Sequence, residues 1–286
     1  MQFHTCIMEK ILQSESQKKL QPCHYISKKH FMKNKKILGI ITARGGSKSI
    51  PGKNIKPLLG KPLIFYTIDS AQKSGVFDRI IVSTDDKEIA DVAREYGCEV
   101  PFMRPDELAQ DKTPHLPVIQ HAVIWLKENE GYWPDYVMIL QPTSPLRQSF
   151  HLKESAELLD RGADTVLSVS KIPKQFSPYK AMVIRDDDFM QLINDDPVRN
   201  RAIRRQDLKD AYWSVGAIYL FKTELIFAKD NPHFYGDKVA PYPIEAKYIV
   251  DIDEPEDWEV AEKAMKRIRE EATYVTVKKF LGLKEV

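Results

Sequence analysis

The run Ile40-Ile-Thr-Ala-Arg-Gly-Gly-Ser-Lys-Ser-Ile-Pro-Gly-Lys-Asn54 joins an apolar segment directly to a loop of glycines and cations. Glycine at 45, 46 and 52 lets the backbone come close to a ligand, so main-chain N–H groups can point at phosphate oxygens. Arg44, Lys48 and Lys53 place three positive charges in the same short loop. A nucleoside triphosphate carries about four negative charges near neutral pH, and a loop of this kind suits it. A second group lies far along the chain, where Asp251 and Asp253 flank Ile252 at the end of an apolar run. On a β-strand both carboxylates would project from one face. Such a pair suits Mg²⁺, which takes one or two carboxylates together with phosphate oxygens. It would serve equally as an N-terminal cap for a helix starting near Glu254, where acids favour the helix dipole. Spacing alone leaves both readings open.

Two better-known phosphate loops are excluded. The pattern G-x-x-x-x-G-K-[ST] needs four residues between its glycines, whereas five separate Gly46 from Gly52, and Asn54 stands where a metal-binding hydroxyl is required. The dinucleotide fingerprint G-x-G-x-x-G fails because Gly45 and Gly46 are adjacent. A basic strand-to-helix turn without a ligand is the plain alternative.

The elements that must position these groups alternate in type. Ile37 to Ala43 is a continuous apolar run, as in a strand covered on both faces. Leu63 to Ser74 has helical spacing, Arg79 to Thr84 reads as a strand, and Asp85-Asp86 open a helix that reaches Tyr96 and stops at Gly97. Pro101 to Thr113 reads as an ordered loop, Pro117 to Lys127 as a helix and Tyr136 to Gln141 as a strand. Leu152 to Arg161 is helical, Thr165 to Ser170 and Val215 to Phe221 are strands, Tyr248 to Ile252 is a last strand, and Glu254 to Glu271 is a long helix. This alternation predicts βαβ units, a mainly parallel Rossmann-like sheet and flanking helices. In such sheets ligands bind at the C-terminal ends of the strands, where Gln141 to Arg147 forms a Pro-rich turn.

Residues 1–35 are predicted to be a poorly ordered extension, with Met32 a possible start of the biological chain. Residues 36–272 form the main domain, interrupted at about 171–213 by an excursion that holds Pro173, Pro178, Pro197, an acidic run and five arginines; 273–286 is a tail. The first 36 residues carry eight Lys and two Glu of the 43 basic and 41 acidic residues in the chain, which leaves 35 basic and 39 acidic for the body. An acidic body excludes nucleic-acid binding on charge grounds. Three cysteines, Cys6, Cys23 and Cys98, have no paired or zinc-type spacing. No membrane-length apolar run and no signal-peptide core are present, so a cytoplasmic location is expected.

The runs Ala43-Arg-Gly-Gly-Ser-Lys48 and Pro51-Gly-Lys-Asn54 resemble the nucleotide-binding signature of the acylneuraminate cytidylyltransferases, the CMP-sialic acid synthetases. Asp78-Arg-Ile-Ile-Val-Ser-Thr-Asp85, Leu140-Gln-Pro-Thr-Ser-Pro-Leu-Arg147 and Ile249-Val-Asp-Ile-Asp253 agree in order, and the resemblance runs from about Lys36 to Arg269. It implies a nucleotidyltransferase sheet whose small inserted lobe makes a homodimer. It further implies that Arg44, Lys48 and Lys53 meet the phosphates, that Asn54 and Arg104 lie near the nucleotide, and that Asp251 and Asp253 bind Mg²⁺. Thr113 and His115 fall where the family contacts the base, with His115 a bystander rather than a catalyst. Gln141, Arg205 and Tyr219 match positions that face the acidic sugar. The implied reaction is transfer of CMP from CTP to the anomeric hydroxyl of a 3-deoxy-ulosonic acid. Rival readings are an enzyme acting on the eight-carbon acid Kdo or on a sugar 1-phosphate, and a nucleotide-sugar-binding protein without catalysis.

One departure concerns the sugar. Before Gly216 the family carries Arg, one residue, then Asn, where this chain has Trp213, Ser214 and Val215. An indole and an isopropyl group in place of polar readers predict an acid with a less polar tail than N-acetylneuraminate.

Overall fold

The computed structural model describes residues 35–201 and 204–280. The readings placed on residues 1–34, and on the tail from 281, lie outside the described residues. Eleven elements carry the domain: β1 (Ile37–Thr42), α1 (Leu63–Ser74), β2 (Arg79–Ser83), α2 (Lys87–Glu95), α3 (His115–Glu130), β3 (Tyr136–Leu140), α4 (Ser149–Glu157), β4 (Thr165–Lys171), β5 (Tyr212–Lys222), β6 (Val239–Pro243) and α5 (Pro255–Phe280). The strands form one six-stranded sheet in the order β6-β4-β5-β3-β1-β2. β1 pairs parallel with both β2 and β3, and β6 pairs parallel with β4, whereas β5 runs antiparallel to β3 and β4.

The local chemistry explains these boundaries. Asp86 caps α2 by accepting a hydrogen bond from the Ile89 N–H at 3.0 Å. α1 ends at Gly75 and α3 at Gly131, both left-handed, where a side chain would strain the backbone. The sheet is apolar on both faces because each is covered. Ile37, Ile41, Val82, Met138 and Leu140 pack with α1, α2 and α4; Leu38, Ile40, Ile81, Val137 and Ile139 pack with α3. A third cluster joins Ile50 and Leu58 of the loop after β1 to Leu63, Val250, Ile252 and the α5 residues Trp258, Ala261 and Met265. That cluster is what brings the glycine-rich loop and the Asp251–Asp253 segment together.

Two expectations are corrected. No strand covers Tyr248 to Ile252: Ala246–Tyr248 is a single 3₁₀ turn, and the Ile252 N–H donates to the Thr143 carbonyl at 2.8 Å instead of to a sheet ladder. The last strand is β6, masked in the sequence by Pro241 and Pro243, which a sheet accepts at its edge. The other helices and strands lie within about a turn of their expected ends, except that α3 extends a few residues beyond Pro117 to Lys127 on both sides and α5 runs to Phe280, nine residues past Glu271 and into the stretch expected to be a tail.

The 171–213 excursion leaves the sheet as a short hairpin, Met182–Ile184 with Met190–Leu192, joined by 3₁₀ turns. Its base stays in the ladder, with Ser170 opposite Trp213 and Lys171 opposite Tyr212. Ile184, Phe189, Met190 and Ile193 are exposed apolar side chains of this lobe.

Candidate active site

The glycine-rich loop leaves the C-terminal end of β1 and is held by three different devices. The Asn54 amide donates to the Arg44 carbonyl at 2.9 Å, closing the loop across its neck. The Gly45 N–H donates to the Asp85 carboxylate at 3.1 Å. A Cβ on Gly45 would stand 2.6 Å from an Asp86 carboxylate oxygen, so only glycine fits beside the start of α2. Gly52 is required for its positive φ of 62°, whereas Gly46 faces open space. The loop's cations are all engaged. Arg44 pairs with Asp111 at 3.1 Å, Lys48 pairs with the same carboxylate, and Lys53 donates to the Ile252 carbonyl at 2.8 Å with Asp253 at 3.5 Å.

A cleft of about 260 Å³ opens in front of this loop. Arg44, Lys53, Asn54, Arg104, Thr113, Gln141 and Asp253 line it, as do Asp111 and His115. Seven of the positions expected at the site therefore share one cavity. Arg104 is buried, with its guanidinium donating to the Ser83 hydroxyl at 3.1 Å and to the Ser83 carbonyl; burial pulls its pKa down to about 10, which leaves it charged at neutral pH. Burial, with Arg104 and Arg44 adding, also pulls His115 below the ordinary histidine range, so it is neutral at pH 7. A neutral imidazole can give or take one hydrogen bond with a base and is no acid. Thr113 donates to the Glu107 carbonyl at 3.3 Å, which fixes the wall between residues 101 and 113.

The floor is built where β3 ends. Asp251 and Gln141 close over Gly216 of β5, since a Cβ there would lie 2.9 Å from an oxygen of each. Arg147 lies beneath them, fully buried, donating to the Ala217 carbonyl at 2.9 Å, to the Thr67 hydroxyl at 2.8 Å and to the Gln141 carbonyl at 3.3 Å. It ties β3, β5 and α1 at the point where the site begins. Arg147 ends the Pro-rich turn after β3, and nothing in the sequence distinguishes it from a surface arginine.

The route by which Asp251 and Asp253 reach the site differs from the expected strand end. On irregular backbone, Asp251 points to Gly216 and Gln141 while Asp253 points to Lys53. The Asp257 carboxylate reaches back from the first turn of α5 to accept from the Asp253 and Glu254 N–H groups at 2.9 and 2.8 Å. Asp251 keeps an exposed surface, although its carboxylate packs closely against the Gly216 backbone. Desolvation, with Asp253 adding, holds its pKa above the ordinary carboxylate range against the opposing effects of Thr143, Lys53 and Arg147. Among the described residues no group of three or more His, Cys, Asp or Glu is placed to hold a metal ion. Two carboxylates, one crowded by protein and the other 70% exposed, fit a hard cation that completes its shell with water and phosphate.

Lys48, Tyr219 and Asp251 do not line this cleft, although Asp251 adjoins Gln141 at its floor. Lys48 is exposed outside it, held by Asp111. Tyr219 lies mid-strand opposite Ile139 and packs on the core, with burial raising its hydroxyl above the ordinary tyrosine range. Arg205 begins a 3₁₀ turn, and its side chain lies outside the described residues. Val215 is also corrected: it is buried in the main core and cannot face a sugar, which leaves Trp213, 38% exposed, as the changed group at the surface.

Residues 38–280 match the cytidylyltransferase family. The chain belongs to that family. This cytidylyltransferase is 33% identical over 239 residues to the CMP-N,N'-diacetyllegionaminic acid synthase of Legionella pneumophila, covering 80% of this chain and 96% of that one. It is 33% identical over 243 residues to the pseudaminic acid cytidylyltransferase of Campylobacter jejuni, covering 84% and 100%. Among solved structures, a CMP-2-keto-3-deoxy-manno-octonic acid synthetase complexed with CTP superposes with a TM-score of 0.59 at 17% identity, over 81% of this chain and 99% of that one. That likeness establishes the nucleotidyltransferase fold. No helix among the described residues is long and apolar enough to cross a membrane.

Proposed function

We propose that the enzyme transfers CMP from CTP to the anomeric hydroxyl of a nine-carbon, sialic-acid-like 3-deoxy-ulosonic acid and releases pyrophosphate. The observation that carries the reading is the single cleft in which Arg44 and Lys53 face Gln141, Thr113 and Asp253. The relatives named for legionaminic and pseudaminic acids support the substrate class. Arg44, Lys48 and Lys53 neutralise the charge that grows on the departing pyrophosphate, while the Gln141 floor positions the acid. Asp251 and Asp253 would hold Mg²⁺, which when bound supplies further charge neutralisation at the phosphates. Displacement at the α-phosphorus is direct and in line, without a covalent enzyme intermediate, since phosphoryl-type transfer is mostly a matter of positioning and charge neutralisation. A panel of nucleoside triphosphates and sugar acids with pyrophosphate release as readout tests the reading. Release with CTP and a nine-carbon acid is expected, and release only with a sugar 1-phosphate would overturn it.

The polar reader replaced by Trp213 sets a further expectation. The specificity constant for legionaminate-type acids should exceed that for N-acetylneuraminate by about 10-fold or more, because an aromatic wall favours a less polar tail and discriminates modestly. Equal or higher kcat/KM for N-acetylneuraminate would refute it.

The active form is a homodimer joined through the 171–213 lobe, in the cytoplasm, where a buried free thiol such as Cys98 stays reduced. The exposed Ile184 and Phe189, 72% and 70% accessible, support this because an apolar surface of that kind seeks a partner. Sedimentation of the Ile184→Asp, Phe189→Asp double variant is expected to show a monomer with an unchanged far-ultraviolet spectrum. A dimer of undiminished stability would assign the contact to another surface.

A further inference from the structure

The loop cations do not wait empty for phosphate. Lys53 is the most enclosed, its side chain 13% exposed and bonded to a backbone carbonyl as well as facing Asp253, so its partner is part of the fold. Arg44 and Lys48 differ: both meet one carboxylate, that of Asp111, and Lys48 is 82% exposed. Asp111 belongs to a different wall of the cleft, in the turn between the 3₁₀ helix Asp106–Leu108 and α3. Its carboxylate thus bridges the wall that carries Thr113 and His115 to the loop that carries the glycines. It also stands where a triphosphate bound to Arg44 and Lys48 would need to place an anionic oxygen.

Two opposite roles are open to such a carboxylate. It could hold the two cations in position for the ligand, or it could compete with the ligand for them. Solvent-exposed ion pairs order their partners only weakly. A fixed negative charge facing a ligand of about four negative charges opposes it more strongly than that, because like charges brought face to face are costly. The ionised state of Asp111 is secured by Lys48 and then Arg44, which hold its carboxyl below the usual carboxylate range.

We propose that Asp111 is an internal stand-in for phosphate, a carboxylate that latches the two walls of the cleft through Arg44 and Lys48 and is displaced when the nucleotide's phosphates bind. This rests on the cytidylyltransferase reading above. It makes Asp111 a residue that sets nucleotide affinity and the release of pyrophosphate, without a part in bond making. Removing the charge should then tighten binding in proportion to the number of phosphates on the ligand.

Titration calorimetry of Asp111→Asn against the parent, with Mg²⁺ and without sugar acid, decides the matter using CTP, pyrophosphate and cytidine as probes. The variant is expected to bind CTP and pyrophosphate about 10-fold more tightly and cytidine equally well. At saturating substrates its turnover should fall if product release limits the rate. Asp111→Ala should behave like Asp111→Asn, which separates loss of charge from any effect of the new amide. Equal or weaker binding of CTP and pyrophosphate by both variants would show that Asp111 orients the cations or touches the ligand, and would overturn the proposal. A parent protein that binds neither CTP nor pyrophosphate would overturn the functional reading, and the latch with it.

Discussion

Replacing Lys53 by alanine is expected to lower kcat by about 10²- to 10³-fold, the effect of removing one preorganised cation from developing negative charge. Its setting explains why this position should be the most sensitive of the three cations. Lys53 is the least exposed, its ammonium is fixed by the Ile252 carbonyl at 2.8 Å, and it faces the cleft beside Asp253. A charge that is already oriented and partly desolvated costs no rearrangement when the pyrophosphate departs. Lys48 is exposed and outside the cleft, so Lys48→Ala should be the mildest of the three. Thermal unfolding provides the control: the Lys53 side chain fills little of the third core cluster, which Ile50, Leu58, Ile252 and Trp258 build, so the midpoint should move by only a few degrees. A variant that keeps its melting curve and stays within about three-fold of parental activity would remove this loop from the chemistry.

The loop was legible because its signal is local. Glycines and cations in one short run after an apolar strand can be read without knowing what lies opposite, and β1, α1 and β2 follow from periods of two kinds within single segments. What failed depended on partners distant in sequence. Tyr248 to Ile252 has the apolar character of a strand, but its apolar side chains are consumed by α1 and α5 and its Ile252 N–H by Thr143. β6 earns its place in the sheet through backbone pairing with β4, a contribution that Pro241 and Pro243 conceal. Among site residues, Arg147 and Asp111 were missed for the same reason. One is buried beneath the floor and the other bridges two walls, and neither fact leaves a trace in the neighbouring residues. Val215 erred in the opposite direction: aligned with a sugar-reading position, it turns to the core because Gly216, beside it on β5, faces the cleft.

For the carboxylate pair, Asp251→Asn and Asp253→Asn are each expected to lower activity by at least about 10²-fold and to shift the Mg²⁺ activation curve to higher concentration, since the ion would lose one of its two protein ligands. The two variants should nevertheless differ in stability. Desolvation raises the Asp251 pKa in the folded protein above its unfolded value, so its ionisation opposes folding. That penalty is absent below the unfolded pKa, grows as pH rises toward the folded pKa, and is fully present above it. Asparagine at 251 keeps a hydrogen-bond acceptor for Thr143 and carries no charge, so at pH 7 the variant should be at least as stable as the parent without metal. The margin should be small, because the exposed part of Asp251 is screened by water, and it should vanish at acidic pH. Asp253 is 70% exposed and 3.5 Å from Lys53, an ion pair of the kind that stabilises weakly, so its loss should leave the melting temperature nearly unchanged. A more stable but inactive Asp251→Asn protein would identify the carboxylate as one retained for function against the preference of the fold. If both variants kept the parental Mg²⁺ activation curve, the pair would have no part in metal binding, and the reading of two acids placed beside the start of α5 would stand instead.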